Sequence, residues 1–282
     1  MTSFQKRLVT VLVGVPAVLL VVFGLPQYNH LAFAIGATIF AFMGSREMAN
    51  IIEKKSKLKI NFPFYLGTLL PISQWIAIRY DIPGLTNLCL IFLILFSFGK
   101  EIFDGTKEIK PFEHSLEKIA YDTLIIIYPN FLVSFVISFS IFNNASSLYA
   151  MFFILVFTND IFAYVFGIAF GRTTTGVFQV SPNKSLVGFI GGILSSIGFG
   201  VICFFIVPTI SSTISLFATI ILSFLVAIAA NIGDLIESAI KRSSEVKDSG
   251  DIIPGRGGAL DSLDSILTAA PVFYILIQIF GM

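Results

Sequence analysis

Long apolar runs separated by short polar connections make up almost the whole chain. A membrane span needs about 20 mostly apolar residues to cross roughly 30 Å of hydrocarbon. By that measure nine runs qualify: 8–25, 30–45, 61–79, 85–99, 120–142, 147–171, 185–208, 213–240 and 262–281. All are expected to be helices, because an open sheet edge leaves backbone groups unpaired in lipid. The first run follows Lys6-Arg7 and ends at Pro26 without an Ala-x-Ala-like site, so it reads as an uncleaved span. The predicted fold is an all-α polytopic membrane protein of about nine transmembrane helices with a polar cavity facing the cytoplasm. Residues 1–119 hold helices 1–4 and their loops; residues 120–282 hold helices 5–9 and the catalytic region.

The basic residues set the orientation. With the N-terminus inside, 17 of the 18 Lys and Arg residues fall on the cytoplasmic side, and Arg79 alone falls outside. Such asymmetry supports both the count and the direction. Segment 46–59 sets Met48, Ile51 and Ile52 against Lys54, Lys55 and Lys57. That pattern suits an interfacial helix on anionic head groups as well as it suits a plain positive anchor.

Composition agrees with the pattern. Of 282 residues, 56% are hydrophobic and 12% charged, whereas soluble domains carry about 25% charged residues. The net charge of +1 names no partner, and no nucleic acid is expected. Cys89 and Cys203 sit in apolar runs, and His30 and His114 are far apart. Neither a disulfide framework, a thiolate metal site nor a Ser/His triad is expected.

Three acids lie where the chain is otherwise apolar: Asp160, Asp234 and Glu237. An ionisable residue in a span marks a functional site by default, because burying it is costly; an interhelical polar clamp is the plainer reading of Asp160. Asn231, Asp234, Ser238 and Lys241 are spaced three, four and three, so they share one helix face running in from the cytoplasmic end. The loop that follows carries Arg242, Lys247 and Asp248, then Pro254-Gly255-Arg256-Gly257-Gly258. Glycines there let backbone N–H groups approach phosphate oxygens, although a tight turn alone needs them too. Asp261 and Asp264 open the last span, three residues apart. Together with Asp234 they are expected to surround a cation, and hard oxygens without Cys or His suit Mg²⁺. Upstream, Ser181-Pro182-Asn183-Lys184-Ser185 offers an N-cap and a lysine able to neutralise a phosphate.

These residues resemble the bacterial signature of the phosphatidate cytidylyltransferases, S-x-x-K-R-x4-K-D-x-G-x-x-x-P-G-H-G-G-x-x-D-R-x-D. Ser238, Lys241, Arg242, Lys247, Asp248, Pro254, Gly255, Gly257, Gly258, Asp261 and Asp264 occupy it in register. Gly233 to Ser238, the span ending at Gly171 and the Ser181–Ser185 element match as well. The likeness is concentrated after residue 150. Two positions depart: the family histidine is Arg256 here, and the family arginine is Ser262. The resemblance implies transfer of CMP from CTP to phosphatidate in the bilayer, giving CDP-diacylglycerol and pyrophosphate. It implies Asp234, Lys241, Asp248, Asp261 and Asp264 as catalytic residues. Mg²⁺ would be held by Asp234, Asp261 and Asp264, with a second cation left open. Asp160, Lys184, Ser238, Arg242, Lys247, Arg256, Gly257 and Gly258 would bind substrate. A bacterial inner membrane and a homodimer go with this expectation. Three other readings stay open: another lipid phosphate as acceptor, an impaired homologue, and an ion-coupled transporter whose membrane acids bind a cation.

Overall fold

The computed structural model describes residues 14, 16–58, 60, 62–104, 112–253 and 257–281. Among them the secondary structure is helical, with two isolated β-bridges, Thr175 to Ser185 and Ile253 to Gly257, and no named strand. Residues 16–24 are helical. After them come α1 (Gln27–Ser56), α2 (Leu69–Arg79), α3 (Leu85–Asp104), α4 (Ser115–Ile141), α5 (Ala145–Phe170), α6 (Leu186–Ile206), α7 (Leu216–Ser243) and α8 (Leu260–Phe280).

Seven described helices, all but α2 of those labelled, are long and apolar enough to cross a membrane. The chain is an all-α polytopic membrane protein. Large apolar side chains face outward along these helices, with Leu95 60%, Phe205 70% and Phe217 72% exposed. Side chains of that kind are at home against lipid and out of place against water. Of the nine expected spans, the first lies partly outside the described residues. The third is realised as a short 3₁₀ turn, Phe64–Thr68, followed by the 11-residue α2. The span expected at 30–45 lies within α1, but the separate interfacial segment at 46–59 is corrected. Past a left-handed kink at Tyr28–His30, α1 continues to Ser56, and Glu47, Met48, Ile51 and Ile52 are buried in the protein.

Local sequence explains the irregular points. Pro129 has no N–H to offer Ile125, so α4 opens into a π turn at Ile127–Phe131. The neighbouring Asn130 side chain donates to the Ile125 carbonyl at 2.8 Å and to Ser45 Oγ at 2.7 Å. The backbone group freed by the proline is thereby satisfied, as a low-dielectric interior demands. α6 and α7 are capped by their own serines: Ser185 Oγ accepts from Gly188 N at 3.0 Å and Ser215 Oγ from Ala218 N at 3.2 Å. α8 begins after Ala259, which has no side chain to cap with.

The core is an apolar cluster of α1, α4, α5, α7 and α8, with Phe139, Tyr149, Phe152 and Phe273 at its centre. α5 packs along α6, and α7 along α6 and α8. α7 packs closely on α8 at Gly233, where an added Cβ would collide with the Asp264 carbonyl and Thr268 Oγ1.

Candidate active site

The polar residues of α7 meet partners from three other parts of the chain. Asn231 exchanges side-chain hydrogen bonds with the fully buried Asn159 of α5 at 3.0 and 3.3 Å. Asp234 pairs with Lys184, from the connection before α6. Lys241, near the C-terminal end of α7, lies between Glu237 one turn earlier and Asp261 of α8, with its Nζ 2.5 Å from Asp261 Oδ1. The face expected from the three-four-three spacing is therefore real, and each charged member has an opposite charge in contact. Glu237 is completely buried. Its place beside Lys241 follows from the i, i+4 spacing on one helix. Sequence reasoning noted this acid in the membrane and left it out of the site.

Asp261 organises the loop as well as the lysine. Its Oδ2 accepts from Gly258 N at 2.7 Å and Ser249 N at 2.9 Å, and the Ser249 hydroxyl lies 2.9 Å away. These bonds tie Ser249 and Gly258 to the start of α8. Gly257 sits at φ +105°, where an added Cβ would also lie 2.5 Å from Asp261 Oδ2, so glycine is required there on both counts. Ser262 donates locally, to the Gly258 carbonyl at 3.3 Å.

A second carboxylate serves the same turn from far away in sequence. Glu47 of α1 accepts from Ala259 N and Leu260 N, both at 2.9 Å, and lies 2.9 Å from Ser249 Oγ. It supplies the cap that Ala259 cannot. The signal in sequence was an acid immediately before the stretch Met48 to Ile52, overshadowed by the lysines that follow.

Deeper in the membrane region, Ser265 Oγ donates to Asp160 Oδ1 at 3.3 Å, and Asn159 Nδ2 lies 3.3 Å from the same oxygen. Asp160 thus joins α5 to α8. Asp264 is buried, with Oδ1 2.6 Å from Ser265 N. Ser238 is half-buried on α7, while Arg242, Lys247 and Asp248 are exposed at its end and in the following loop. Gly258 is buried against Glu47 and Ser249. Arg256, with Pro254 and Gly255, lies outside the described residues.

The expected three-aspartate cradle is not gathered in this arrangement. Among the described residues no group of three or more His, Cys, Asp or Glu side chains is placed to hold a metal ion in common. Asp261 is turned back onto the loop and onto Lys241, and Asp234 onto Lys184. As placed, these residues do not fit a resident metal.

Lysines beside glycines where α7 meets the start of α8 suit anionic phosphates, and the comparisons with known proteins agree. A phosphatidate cytidylyltransferase of Bacillus subtilis is 26% identical over 289 residues, covering 100% of both chains. One of Thermotoga maritima is 38% identical over 164 residues, which is 57% of this chain and 60% of that one. One of Haemophilus influenzae is 41% identical over 125 residues, covering 43% of this chain and 42% of that one. The model of the cytidylyltransferase family matches residues 5–280, so the chain belongs to that family.

Proposed function

We propose that this protein transfers CMP from CTP to phosphatidate, releasing pyrophosphate and forming CDP-diacylglycerol. The observation that carries this is Lys241, held between the buried Glu237 and Asp261 at the junction of α7 with the glycine-rich loop. It sits inside the sequence pattern that resembles the phosphatidate cytidylyltransferase signature, and relatives of that name are similar to this chain.

The reaction joins two anions. A lipid phosphate oxygen attacks the α-phosphorus of CTP; the new P–O bond forms as the bond from the α-phosphorus to the bridging oxygen breaks. Pyrophosphate leaves with the electron pair. No general base is needed, because the nucleophile is already an anion. Catalysis then rests on alignment and charge neutralisation. In this reading Lys241 exchanges part of its grip on the two carboxylates for phosphate oxygens, and Asp261 keeps its ammonium aimed. Exposed Arg242 and Lys247, together with Arg256, meet the triphosphate. Lys184 turns from Asp234 to the lipid phosphate, and Asp160 and Ser238 line the approach. Asp248 stands exposed in the same connection as Lys247. With Arg256 in place of the family histidine and Ser262 in place of its arginine, the loop keeps one cation and loses another.

No step is routed through a resident metal. Mg²⁺, and any second cation, would come bound to the triphosphate and neutralise its charge; for Asp234, Asp261 and Asp264 to hold it, Asp234 would have to leave Lys184, and Asp261 would have to leave Lys241 and the loop N–H groups. The acyl chains stay in the bilayer, and CTP arrives from the cytoplasm. The basic residues of the polar connections support that orientation. A bacterial inner membrane and a homodimer complete the reading.

The test uses purified protein in mixed micelles with labelled CTP, phosphatidate and Mg²⁺. A cytidine-bearing lipid product is expected, dependent on Mg²⁺ and lost in Asp261→Ala at unchanged folded yield. No product with phosphatidate or a panel of other lipid phosphates would sink the enzyme reading. Cation uptake into liposomes would favour a transporter.

A further inference from the structure

We propose that Glu47 is a positioning residue for the transfer reaction: it holds the glycine-rich loop in the shape that lets Asp261 aim Lys241. The inference rests on the proposed transferase activity and adds a residue from the opposite half of the chain.

The geometry forms a chain of contacts. Glu47 is 4% exposed and lies on α1, more than 200 residues from the loop it touches. Oε1 accepts from Ala259 N, and Oε2 from Leu260 N. These are among the first N–H groups of α8, which have no partner within their own helix. A carboxylate there is favoured by the positive end of the helix dipole, which offsets the cost of burying its charge. The Ser249 hydroxyl stands 2.9 Å from both Glu47 Oε2 and Asp261 Oδ2. One serine therefore links the two carboxylates, and Asp261 passes the alignment on to Lys241.

The turn is shaped around this carboxylate. A Cβ on Gly250 would lie 2.6 Å from Glu47 Oε1, and one on Gly258 would collide with Glu47 Oε2 and Ser249 Oγ. Two of the loop's glycines thus leave room for Glu47. The helix N-terminus, an obvious seat for a substrate phosphate, is filled from within the protein. Phosphate binding is left to the lysines and arginines that the turn positions.

A cap that only stabilised α8 would affect folding and nothing else. A positioning residue must change the behaviour of the folded enzyme toward one substrate. In Glu47→Gln the amide keeps the shape but faces an N–H donor with an NH₂, so one of the two backbone bonds is lost. The KM for CTP of the folded enzyme is expected to rise about tenfold, with the KM for phosphatidate in mixed micelles almost unchanged. Hydrogen exchange at the amides of 258–261 is expected to accelerate in the same variant. A folded Glu47→Gln enzyme with wild-type KM for CTP, or with unchanged exchange at those amides, overturns the proposal. If that variant does not fold, Ser249→Ala carries the test: a severalfold rise in KM for CTP supports the proposal, and no change refutes it. If the wild-type protein transfers no CMP, the functional reading fails. The exchange experiment then still decides whether Glu47 orders the loop.

Discussion

Replacing Asp261 by Asn removes a charge from the centre of the site and almost no volume. Asp261 Oδ2 faces Gly258 N at 2.7 Å, Ser249 N at 2.9 Å and Ser249 Oγ at 2.9 Å, while Oδ1 faces Lys241 Nζ at 2.5 Å. Asparagine has one acceptor oxygen. If that oxygen serves the loop, the NH₂ meets the lysine donor-to-donor; if it serves the lysine, the loop N–H groups lose their acceptor. Hydrogen bonds to charged groups are worth about 1.5–3 kcal/mol each. Glu237 remains to hold Lys241, so the net loss should stay at the lower end of what breaking a buried pair costs, about 3 kcal/mol. At 1.36 kcal/mol per factor of ten, this corresponds to roughly a 100-fold fall in kcat/KM for CTP. The assay is CMP transfer from labelled CTP into lipid, normalised to monodisperse protein after size-exclusion chromatography. Activity within about threefold of wild type would refute the role given to Asp261.

Other perturbations read separate parts of the site. Lys184→Ala frees Asp234 and removes the cation assigned to the lipid phosphate, so initial rates should show a higher KM for phosphatidate than for wild type and a smaller change for CTP. Gly233→Ala forces a methyl group against the Asp264 carbonyl and Thr268; overpacking of this kind costs about 1–3 kcal/mol. A lower thermal midpoint in detergent, with activity falling alongside it, is the expected outcome. Ser262→Arg returns the cation that the family pattern carries at this position, and a lower KM for CTP is expected from saturation kinetics.

Much of the fold was legible because a lipid-facing helix has to be apolar over its whole length. The spans expected at 147–171, 185–208, 213–240 and 262–281 appear within a few residues as α5 to α8. The α7 face was legible for a similar reason: three- and four-residue spacing fixes direction on a helix. Contacts between distant segments were not. Glu47 looked like part of a basic anchor because Lys54, Lys55 and Lys57 dominate its neighbourhood, and nothing local announces a partner at Ala259. Asp261 and Asp264 share a spacing, yet they do different work. Asp261 stands where the helix N-terminus and the loop offer unpaired N–H groups, which draw its carboxylate back. Asp264, one turn further in, lies where the helix bonds are complete, and it is buried against the interior. Spacing alone implied a shared cation and did not register this competition.

The most direct measurement compares where two labels travel. Purified protein is given CTP labelled at the α-phosphorus or at the γ-phosphorus, with phosphatidate and Mg²⁺ in mixed micelles. Attack at the α-phosphorus sends the α label into the lipid phase and the γ label into soluble pyrophosphate, in equal amounts. A γ label in the lipid, or both labels remaining soluble while CTP is consumed, would contradict CMP transfer as the reaction of this site.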